Sequence, residues 1–363
     1  MQLRFGLIGF GEIGKIRARA LARSSRCSLA AVFDVDPERR SRATGIAKVF
    51  DSAEELLESD ACDAVLISTP PDSHADLAIR AMRAGKHVLV EKPMANSLAA
   101  CDAMLQAAAQ TGRVLAVGFN HRYFKGVKRM RRAIAQNEIG PLRFVKAYCG
   151  HVGLPELRSP WMVDRAVMGG GTLLDNGIHV LDLVRFVMGE VHSVSAVLPQ
   201  NIWKLDVEEN AFVHLTGAAG VTASLHTSWT AWKGYKFSIE AYGEDGMAMM
   251  SYAPMFSQVI RVTRGPTFKT FKRARERNFY VADIFREKLF GWQATTIDAF
   301  AEEFDEFAAR LTAPLTGGSA ATGFDGKRAI EIANAAYRSA QLERPVELSA
   351  VVSAPREREE VAR

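Results

Sequence analysis

Cysteines are few in this sequence and form no pattern. Cys27, Cys62, Cys101 and Cys149 include no CxxC pair and have no histidine nearby at metal-ligand spacing. Their scatter argues against a disulfide scaffold and against a zinc framework, and it predicts four buried, reduced thiols.

Long apolar runs are missing too, although 48% of the residues are hydrophobic. No run is long enough and free enough of charge to span a bilayer. The first residues enter a predicted strand without the basic region, apolar segment and small-residue cleavage site of a secretory signal. We therefore expect a cytoplasmic protein that has no membrane contact.

A single basic face is not evident either. The formal net charge is +5, but nucleic-acid binding would require the basic residues to cluster on one face. The densest group, Lys125–Arg132, has the helical spacing of a solvated face, and Lys269–Arg277 is a second group. Either group could attract an anionic substrate, and we expect no nucleic-acid partner.

The strongest positive signal lies in the first forty residues. A predicted strand over Arg4–Phe10 runs into the glycine turn Gly9–Gly14, and a helix begins near Ile13. A second predicted strand, Ser28–Asp34, ends in an acid. Strand, glycine turn, helix, strand and acid in this order are typical of a dinucleotide-binding unit.

Each residue type in the glycine turn has a physical role. Gly9 permits the tight turn, Gly11 lets the backbone approach the pyrophosphate, and Gly14 lets the helix lie close to the strand. The pyrophosphate then lies at a helix N-terminus, where unpaired N–H groups and the helix dipole favour an anion.

The acid at the end of the second strand predicts which dinucleotide binds. The carboxylate of Asp34 would bind the adenine ribose hydroxyls and repel a 2′-phosphate, so NAD is favoured over NADP. Arg39 and Arg40 follow a few residues later and could soften that preference.

The 363 residues suggest two domains. Strand and helix signals alternate over residues 1–121, which predicts a parallel sheet covered on both faces. Further strands are predicted at Lys48–Phe50, Ala64–Thr69, His87–Glu91 and Val114–Phe119, and helices at Ala53–Ser59, Ser73–Ala84 and from Ser97 to Gly112.

The pattern changes in residues 122–350, where period-two alternation predicts an α+β domain built on a large antiparallel sheet. The charged, apolar-poor tail 351–363 is expected to be disordered. Strands are predicted at Leu142–Cys149, Val191–Leu198, Ala211–Thr216, Val221–Trp229, Lys236–Tyr242, Met247–Tyr252 and Val259–Thr263, and helices at Phe124–Asn137, Leu173–Met188, Ala294–Leu311 and Gly326–Leu342.

Two loops of the first domain are expected to reach the ligand, because ligands bind beyond the carboxyl ends of parallel strands. In the loop Ser68–His74, Thr69 and His74 could contact the cofactor, or could serve only turn chemistry and helix capping. Lys92 ends a buried strand before Pro93, and a cis bond there would aim it into the cleft. The alternative is a surface lysine before a turn.

A third element comes from the second domain, in the segment Gly169–His179. Asp175 and His179 are four residues apart, so on a helix they would project from one face and suit proton transfer. One alternative is a capping aspartate with a core histidine. Another is a metal pair with Asp182 as third ligand, which the lack of a further spaced histidine disfavours.

Together these segments resemble the Gfo/Idh/MocA family of glucose–fructose oxidoreductases and inositol dehydrogenases. The resemblance covers nearly the whole chain and is highly specific in the order and spacing of its motifs. It rests on Gly9–Gly14 with Asp34, Val90–Pro93, Gly118–Tyr123, Gly169–Asp182 and Gly323–Leu348.

The resemblance implies a Rossmann domain followed by a domain with a large open, mostly antiparallel sheet. It also implies a nicotinamide cofactor, a sugar or cyclic polyol substrate such as inositol, and a homodimer or homotetramer formed by the sheet face. The family's catalytic lysine falls on Lys92, and its paired acid and imidazole fall on Asp175 and His179. Specificity is expected to vary in Gly150–Met168 and in the strands Met247–Tyr252 and Val259–Thr263.

The predicted reaction is hydride transfer between nicotinamide and a substrate carbon, with His179 moving the proton and Lys92 stabilising charge on the reacting oxygen. No metal is expected. The predicted cofactor-binding residues are Gly9, Phe10, Gly11, Glu12, Ile13, Gly14, Asp34, Thr69, Pro70, His74, Glu91, Lys92, Asn120 and Trp161. The predicted substrate-binding residues are Lys92, Arg122, Tyr123, Asp164, Asp175, Asn176 and His179.

Two other functions stay open. The first is a dinucleotide-binding regulator without turnover, although such a protein has no need of Lys92, Asp175 and His179 together. The second is a reductase or dehydrogenase that acts on an imine, a tetrapyrrole or an aromatic diol in a more apolar pocket. Trp229 and Trp232 make such a pocket conceivable, as does Trp161.

Overall fold

The structure, a computed structural model, describes residues 2–153, 159–265, 270–312 and 318–349. Its strands are β1 (Leu3–Ile8), β2 (Cys27–Phe33), β3 (Lys48–Val49), β4 (Ala64–Ile67), β5 (His87–Val90), β6 (Leu115–Val117), β7 (Leu142–Gly150), β8 (Val191–Val197), β9 (Asn210–Gly217), β10 (Thr222–Ser228), β11 (Lys236–Gly243), β12 (Gly246–Tyr252), β13 (Phe256–Arg264), β14 (Phe271–Asn278), β15 (Ala321–Thr322) and β16 (Val346–Glu347). Its α-helices are α1 (Glu12–Leu21), α2 (Pro37–Ser41), α3 (Ala53–Glu58), α4 (His74–Arg83), α5 (Leu98–Thr111), α6 (Lys125–Ala135), α7 (Arg165–Met168), α8 (Gly177–Met188), α9 (Val281–Phe290), α10 (Gln293–Thr312) and α11 (Gly323–Leu342). Short 3₁₀ helices cover Pro71–Ser73, Asn120–Tyr123, Pro160–Val163 and Ala218–Gly220.

Most predicted elements are confirmed to within a few residues at each end. One helix is shorter than predicted: α8 begins at Gly177, because residues 172–176 form a turn. The strand β14 and the helix α9 do not follow from the sequence pattern, since β14 reads FKRARERN and has no apolar alternation. Residues 351–363, predicted to be disordered, lie outside the described residues.

The first sheet is the predicted Rossmann-type parallel sheet. Its order is β15-β6-β5-β4-β1-β2-β3, and every pair except β15 with β6 is parallel. Every residue of β4 is buried, because apolar clusters with helices lie on both faces of the sheet. One cluster joins α1 and β1 to α10. In it the ring of Phe5 on β1 meets the ring of Phe304 on α10 edge-on at 5.1 Å.

Two segments from late in the chain, α10 and β15, pack with the elements of the first sheet. Helix α10 packs on α1, and β15 adds an antiparallel edge strand beside β6. The domain boundary predicted at residue 121 stays a prediction. Helix α10 and strand β15 follow that residue in the sequence but pack with the first domain.

The second sheet is large and mostly antiparallel, as predicted. Its order is β14-β13-β12-β11-β7-β10-β9-β8-β16, and β7 with β10 is its parallel pair within the described residues. Helices α6, α8 and α11 pack on one face. In strand β9, buried and less buried residues alternate along its whole length. No helix in the described ranges is both long and apolar enough to cross a bilayer.

The register of the parallel pair determines what lies at the site. Gly150 at the end of β7 pairs with Ser228 at the end of β10. The next residues, His151 and Trp229, therefore leave the sheet side by side.

Candidate active site

The glycine turn leaves open the space that a pyrophosphate needs. Gly9 has a φ of +96°, and a side-chain carbon there would lie 2.5 Å from the carbonyl oxygen of Ser68. At Gly14 it would lie 2.1 Å from the Gly9 carbonyl oxygen, so packing of the turn itself requires both glycines. At Gly11 the nearest atom would be Arg39 Nη1 at 3.7 Å. Protein packing alone does not require a glycine at position 11, whereas a ligand that lies against the backbone would require one.

The acid and the helix terminus complete the cofactor site. Helix α1 begins at Glu12 without a side-chain cap on its first N–H groups. The buried Asp34 accepts hydrogen bonds from the Phe10 amide at 2.6 Å and the Asp36 amide at 2.9 Å, which tie it to the turn. Arg39 Nη1 lies 3.9 Å from Asp34 Oδ2. This set of residues fits a dinucleotide, and the contact of Asp34 with the adenosine ribose stays a prediction.

His74 supports the loop after β4 through contacts with backbone carbonyl oxygens. Its ring is fully buried, with Nε2 at 2.8 Å from the Thr69 carbonyl oxygen and Nδ1 at 3.0 Å from the Pro93 carbonyl oxygen. Because both nitrogens contact backbone carbonyls, the arrangement gives His74 a positional part in the cofactor site. Thr69 and Pro70 keep partial exposure and stay predicted cofactor contacts.

Lys92 reaches across from the first domain to the second. The Lys92–Pro93 peptide bond is cis, as the sequence suggested. Its Nζ donates to the Asp175 carbonyl oxygen at 2.9 Å and lies 3.3 Å from Asp175 Oδ1. Its backbone N–H donates to Glu91, whose other oxygen accepts from the buried Arg17 at 2.5 Å. Arg17 also pairs with Glu303 of α10, so a buried ion-pair network supports the lysine from below.

The turn before α8 presents Asp175, and a glutamate fixes that turn. Glu208 accepts hydrogen bonds from the amides of Gly171 and Leu173, each at 2.9 Å, and from the Tyr337 hydroxyl at 2.9 Å. A side-chain carbon at Gly171 would lie 2.1 Å from the Glu208 carbonyl oxygen. The glycines of this segment therefore allow a close approach that sets the position of Asp175.

Asp175 is buried and surrounded by donors. His151 Nε2 lies 3.4 Å and Trp229 Nε1 3.2 Å from Oδ2, opposite the ammonium of Lys92. Burial alone would raise the pKa of Asp175, but Lys92 and the hydrogen bonds of His151 and Trp229 outweigh it and hold the pKa well below its usual range. Asp175 is thus a carboxylate at neutral pH, and it lies on a turn, whereas the sequence predicted a helix.

His179 lies in the first turn of α8 and is 5% exposed. Its ring stacks on that of His121, with centroids 4.0 Å apart and planes 25° apart. Burial, followed by the charges of His121, Lys92 and Arg17, lowers the pKa of His179 well below its usual value. His179 is therefore a neutral imidazole that can accept a proton, near an ammonium that can bind an oxygen.

Arg122 and Tyr123, predicted to contact the substrate, have other neighbours. Arg122 is 2% exposed and donates through two nitrogens to Asp182, at 2.7 and 2.5 Å. This pair engages Asp182 and counts against the metal alternative that used it as a ligand. Tyr123 is buried, and burial followed by Glu303 raises the pKa of its hydroxyl well above the usual value. Both residues are thus engaged in packing or charge pairing, and their contact with the substrate stays a prediction.

The remaining predicted contacts differ in their burial and in their neighbours. Ile13 is 42% exposed beside the glycine turn, as an apolar residue under a ligand would be. Asn176 is half-buried and makes no hydrogen bond to a described residue through its side chain, whereas Asp164 caps α7 at 2.8 Å. Asn120 is buried and Trp161 is half-buried. Part of the predicted specificity loop Gly150–Met168, residues 154–158, lies outside the described residues.

Sequence reasoning missed the residues that support the acid and the base. His151 and Trp229 hold Asp175, and His121 stacks on His179. Trp229 is fully buried, so it fills the core and is not a stacking platform for the substrate. A usable signal existed for His121, which lies inside the motif Gly118–Tyr123.

Fold and site together define a dehydrogenase or reductase with a Rossmann-bound nicotinamide cofactor. Residues 3–119 match the model of the oxidoreductase family with an NAD-binding Rossmann fold, and residues 127–249 match the model of the Gfo/Idh/MocA C-terminal domain. The chain belongs to the Gfo/Idh/MocA family of oxidoreductases.

Similar proteins agree with this assignment. Inositol 2-dehydrogenase of Rhizobium meliloti is 30% identical over 96% of this chain and 100% of its own length. The 1,5-anhydro-D-fructose reductase of Ensifer adhaerens is 31% identical over 72% of this chain and 81% of its own length. A solved structure of levoglucosan dehydrogenase in complex with NADH has a TM-score of 0.82 at 23% identity, and the match covers 96% of this chain and 99% of that one. At that identity the likeness shows the fold.

Proposed function

We propose that this enzyme transfers a hydride between NAD and a hydroxyl or keto carbon of a sugar, a sugar derivative or a cyclic polyol. The observation that carries the proposal is that Lys92 donates to Asp175 across the two sheets and that its charge also acts on the buried His179. The similar proteins named above act on inositol, an anhydro sugar and levoglucosan, which are all polyhydroxylated rings. NAD, when bound, accepts or supplies the hydride.

His179 is the proton acceptor during oxidation and the donor during reduction. A neutral imidazole at the start of α8 can take the hydroxyl proton of the substrate, because burial keeps it uncharged at neutral pH. Its Nε2 has no hydrogen-bond partner among the described residues and, unlike Nδ1, is not a fully buried atom. A substrate hydroxyl would therefore approach Nε2.

Lys92 stabilises the charge that develops on the reacting oxygen. Its ammonium lies against Asp175, and the Lys92 side chain is about one-fifth exposed, so the ammonium can also donate to a ligand. Asp175 holds Lys92 in place and offers its carboxylate to a neighbouring substrate hydroxyl. Asn176, whose amide has no described partner, is the further group we assign to the substrate.

We infer that the chain forms a homodimer or homotetramer. The outer face of the second sheet carries stacked aromatic pairs, Phe144 with Tyr242 at 4.3 Å and Phe212 with His226 at 4.1 Å. Phe212 is 43% exposed. Exposed aromatic pairs on the face of a sheet form a surface that a second copy of the chain would cover.

Helix α9 offers a second surface for such assembly. Several of its charged side chains pair with other elements, as Asp283 does with Lys125 at 2.8 Å, while Phe285 and Leu289 are 61% and 75% exposed. A helix with its apolar stripe outward suits contact between two dimers. Light scattering of the purified protein measures the assembly directly, and a monomer at micromolar concentration would contradict it.

We also infer a cytoplasmic location without nucleic-acid binding. The four cysteines are free and buried, which suits a reducing compartment. Several cations of the basic group on α6 are engaged in ion pairs, for example Lys128 with Glu302 and Arg129 with Glu138.

The test of the proposed function begins with the nucleotide. The purified protein is denatured, the released nucleotide is identified, and cofactor reduction is then assayed with inositols, anhydro sugars, and free, phosphorylated and nucleotide-linked sugars. We expect NAD or NADH and turnover of at least one such compound. NADH binding without turnover of any of them would instead favour the regulator.

A matched pair of variants assigns the proton transfer. His179→Ala is expected to lose about 10²–10⁴-fold in turnover while still binding NADH. His192→Ala, at an exposed position of β8, is the control and should behave as the wild type. A His179→Ala enzyme with unchanged turnover would reject the role.

A further inference from the structure

No hydrogen bond from a described residue orients the ring of His179. Its Nδ1 is fully buried without a partner among the described residues. Imidazoles that transfer protons are usually oriented by a hydrogen bond to the second ring nitrogen. The orientation of this ring must therefore come from packing.

His121 supplies that packing. Its ring covers one face of His179 at 4.0 Å, while Phe119 meets the same imidazole edge-on at 5.9 Å. His121 is itself packed against Phe124 at 4.6 Å and Phe237 at 5.1 Å, and it is 8% exposed. The two imidazoles form one buried stack that is bounded by aromatic rings.

The neighbouring ion pair holds the two rings in register. His121 and Arg122 lie in one 3₁₀ helix, and His179 and Asp182 lie three residues apart on α8. Arg122 binds Asp182 through two hydrogen bonds of 2.7 and 2.5 Å. Residues i and i+3 share a helix face, so the ion pair and the ring stack connect the same two elements side by side.

We propose that His121 is a positioning residue, which sets the plane of the His179 imidazole by stacking and shields it from water so that it stays uncharged. The inference rests on the proposed function, in which His179 moves the proton.

The charges around the stack agree with this role. Burial, followed by Lys92, lowers the pKa of His121 to about 3, and His179 is lowered in the same direction by burial, His121, Lys92 and Arg17. Both rings are therefore neutral at pH 7. Two neutral rings can stack at this distance, whereas two imidazolium ions would repel each other.

Three variants test the proposal. His121→Phe keeps a flat ring, His121→Leu keeps a similar volume without a flat face, and His121→Ala opens a cavity that water can enter. We expect His121→Phe to keep kcat within about threefold, and His121→Leu to lose about 10- to 100-fold in kcat with a smaller change in KM. Thermal unfolding and NADH titration check that each variant folds and binds cofactor.

Titration of the His179 ring by NMR of histidine-labelled protein gives a readout that needs no substrate, with the signal assigned through the His179→Ala variant. We expect the pKa of His179 to stay low in His121→Phe and to rise toward 6.5 in His121→Ala, where burial is relieved. If wild-type protein turns over no substrate, the proposed function fails while this titration still tests the shielding.

Two results would overturn the proposal. One is a wild-type kcat and titration in both His121→Leu and His121→Ala. The other is a loss in His121→Phe as large as in His121→Leu, since the imidazole nitrogen itself would then be required. If His121→Ala does not fold, the comparison of His121→Phe with His121→Leu decides.

Discussion

Replacing Gly11 by alanine should separate cofactor binding from folding. The added methyl group would lie 3.7 Å from Arg39 Nη1, which is ordinary contact with a movable side chain. Gly11 has a φ of −69° and a ψ of −163°, a conformation that alanine adopts without strain. We therefore expect unchanged stability or a gain of about 0.4–1 kcal/mol, because alanine reduces the freedom of the unfolded chain.

The same methyl group would occupy space that a bound pyrophosphate needs, because we predict that the pyrophosphate lies against this backbone. Overpacking of a tight contact costs about 1–3 kcal/mol. At 1.4 kcal/mol for each factor of ten, NADH should bind about 5- to 140-fold more weakly to Gly11→Ala.

Gly14→Ala is the matched control. Its methyl group would lie 2.1 Å from the Gly9 carbonyl oxygen and would push α1 away from β1. We expect this variant to lose stability as well as binding. Fluorescence titration with NADH and thermal unfolding measure the two effects separately. Wild-type NADH affinity in Gly11→Ala, or a loss of its stability as large as in Gly14→Ala, would refute the reasoning.

Three further outcomes follow from the buried charges. The kcat/KM for oxidation should stay level as the pH falls through 6.5. Burial lowers the pKa of His179, so the ring becomes protonated, and unable to accept a proton, only at lower pH. A pH profile whose acid limb lies at or above 6.5 would contradict this. Arg122→Met should cost about 3–5 kcal/mol in urea unfolding, since it leaves Asp182 buried without its partner, and a cost below about 1 kcal/mol would argue against a structural role. Burial, opposed by Arg17, raises the pKa of Glu303 to about 7, so the folded state favours the protonated acid. The wild type should therefore lose stability relative to Glu303→Gln as the pH rises from about 5 to about 8. If the difference in melting temperature between the two proteins stays constant across that range, the raised pKa of Glu303 is excluded.

The cofactor half of the site could be predicted because its determinants are local. The turn Gly9–Gly14 and the acid Asp34 lie within about thirty residues, and the geometry of strand, turn and helix assigns each of them a role. Lys92 could be placed for a similar reason, since it follows a strand whose carboxyl end must face the cleft. The predicted glycine roles agree with the distances in the structure.

The second half of the site was predicted less well because its partners are distant in sequence. Spacing suggested that Asp175 and His179 share a helix face, but hydrogen bonds from the turn to Glu208 delay the start of α8. Arg122 was predicted to contact the substrate, and nothing in the sequence indicated its buried partner Asp182, because that residue is sixty positions away.

The sequence by itself determined the parallel fold and predicted the dinucleotide turn and the lysine, acid and imidazole, because periodicity and short motifs encode these features within a few residues. Only the tertiary structure decided the state of those groups. The parallel pairing of β7 with β10 brings His151 and Trp229 to Asp175, and α8 lays His179 on His121. Burial and nearby charge at such contacts set the protonation states of the side chains. The contacts themselves exist only after distant segments of the chain have packed together.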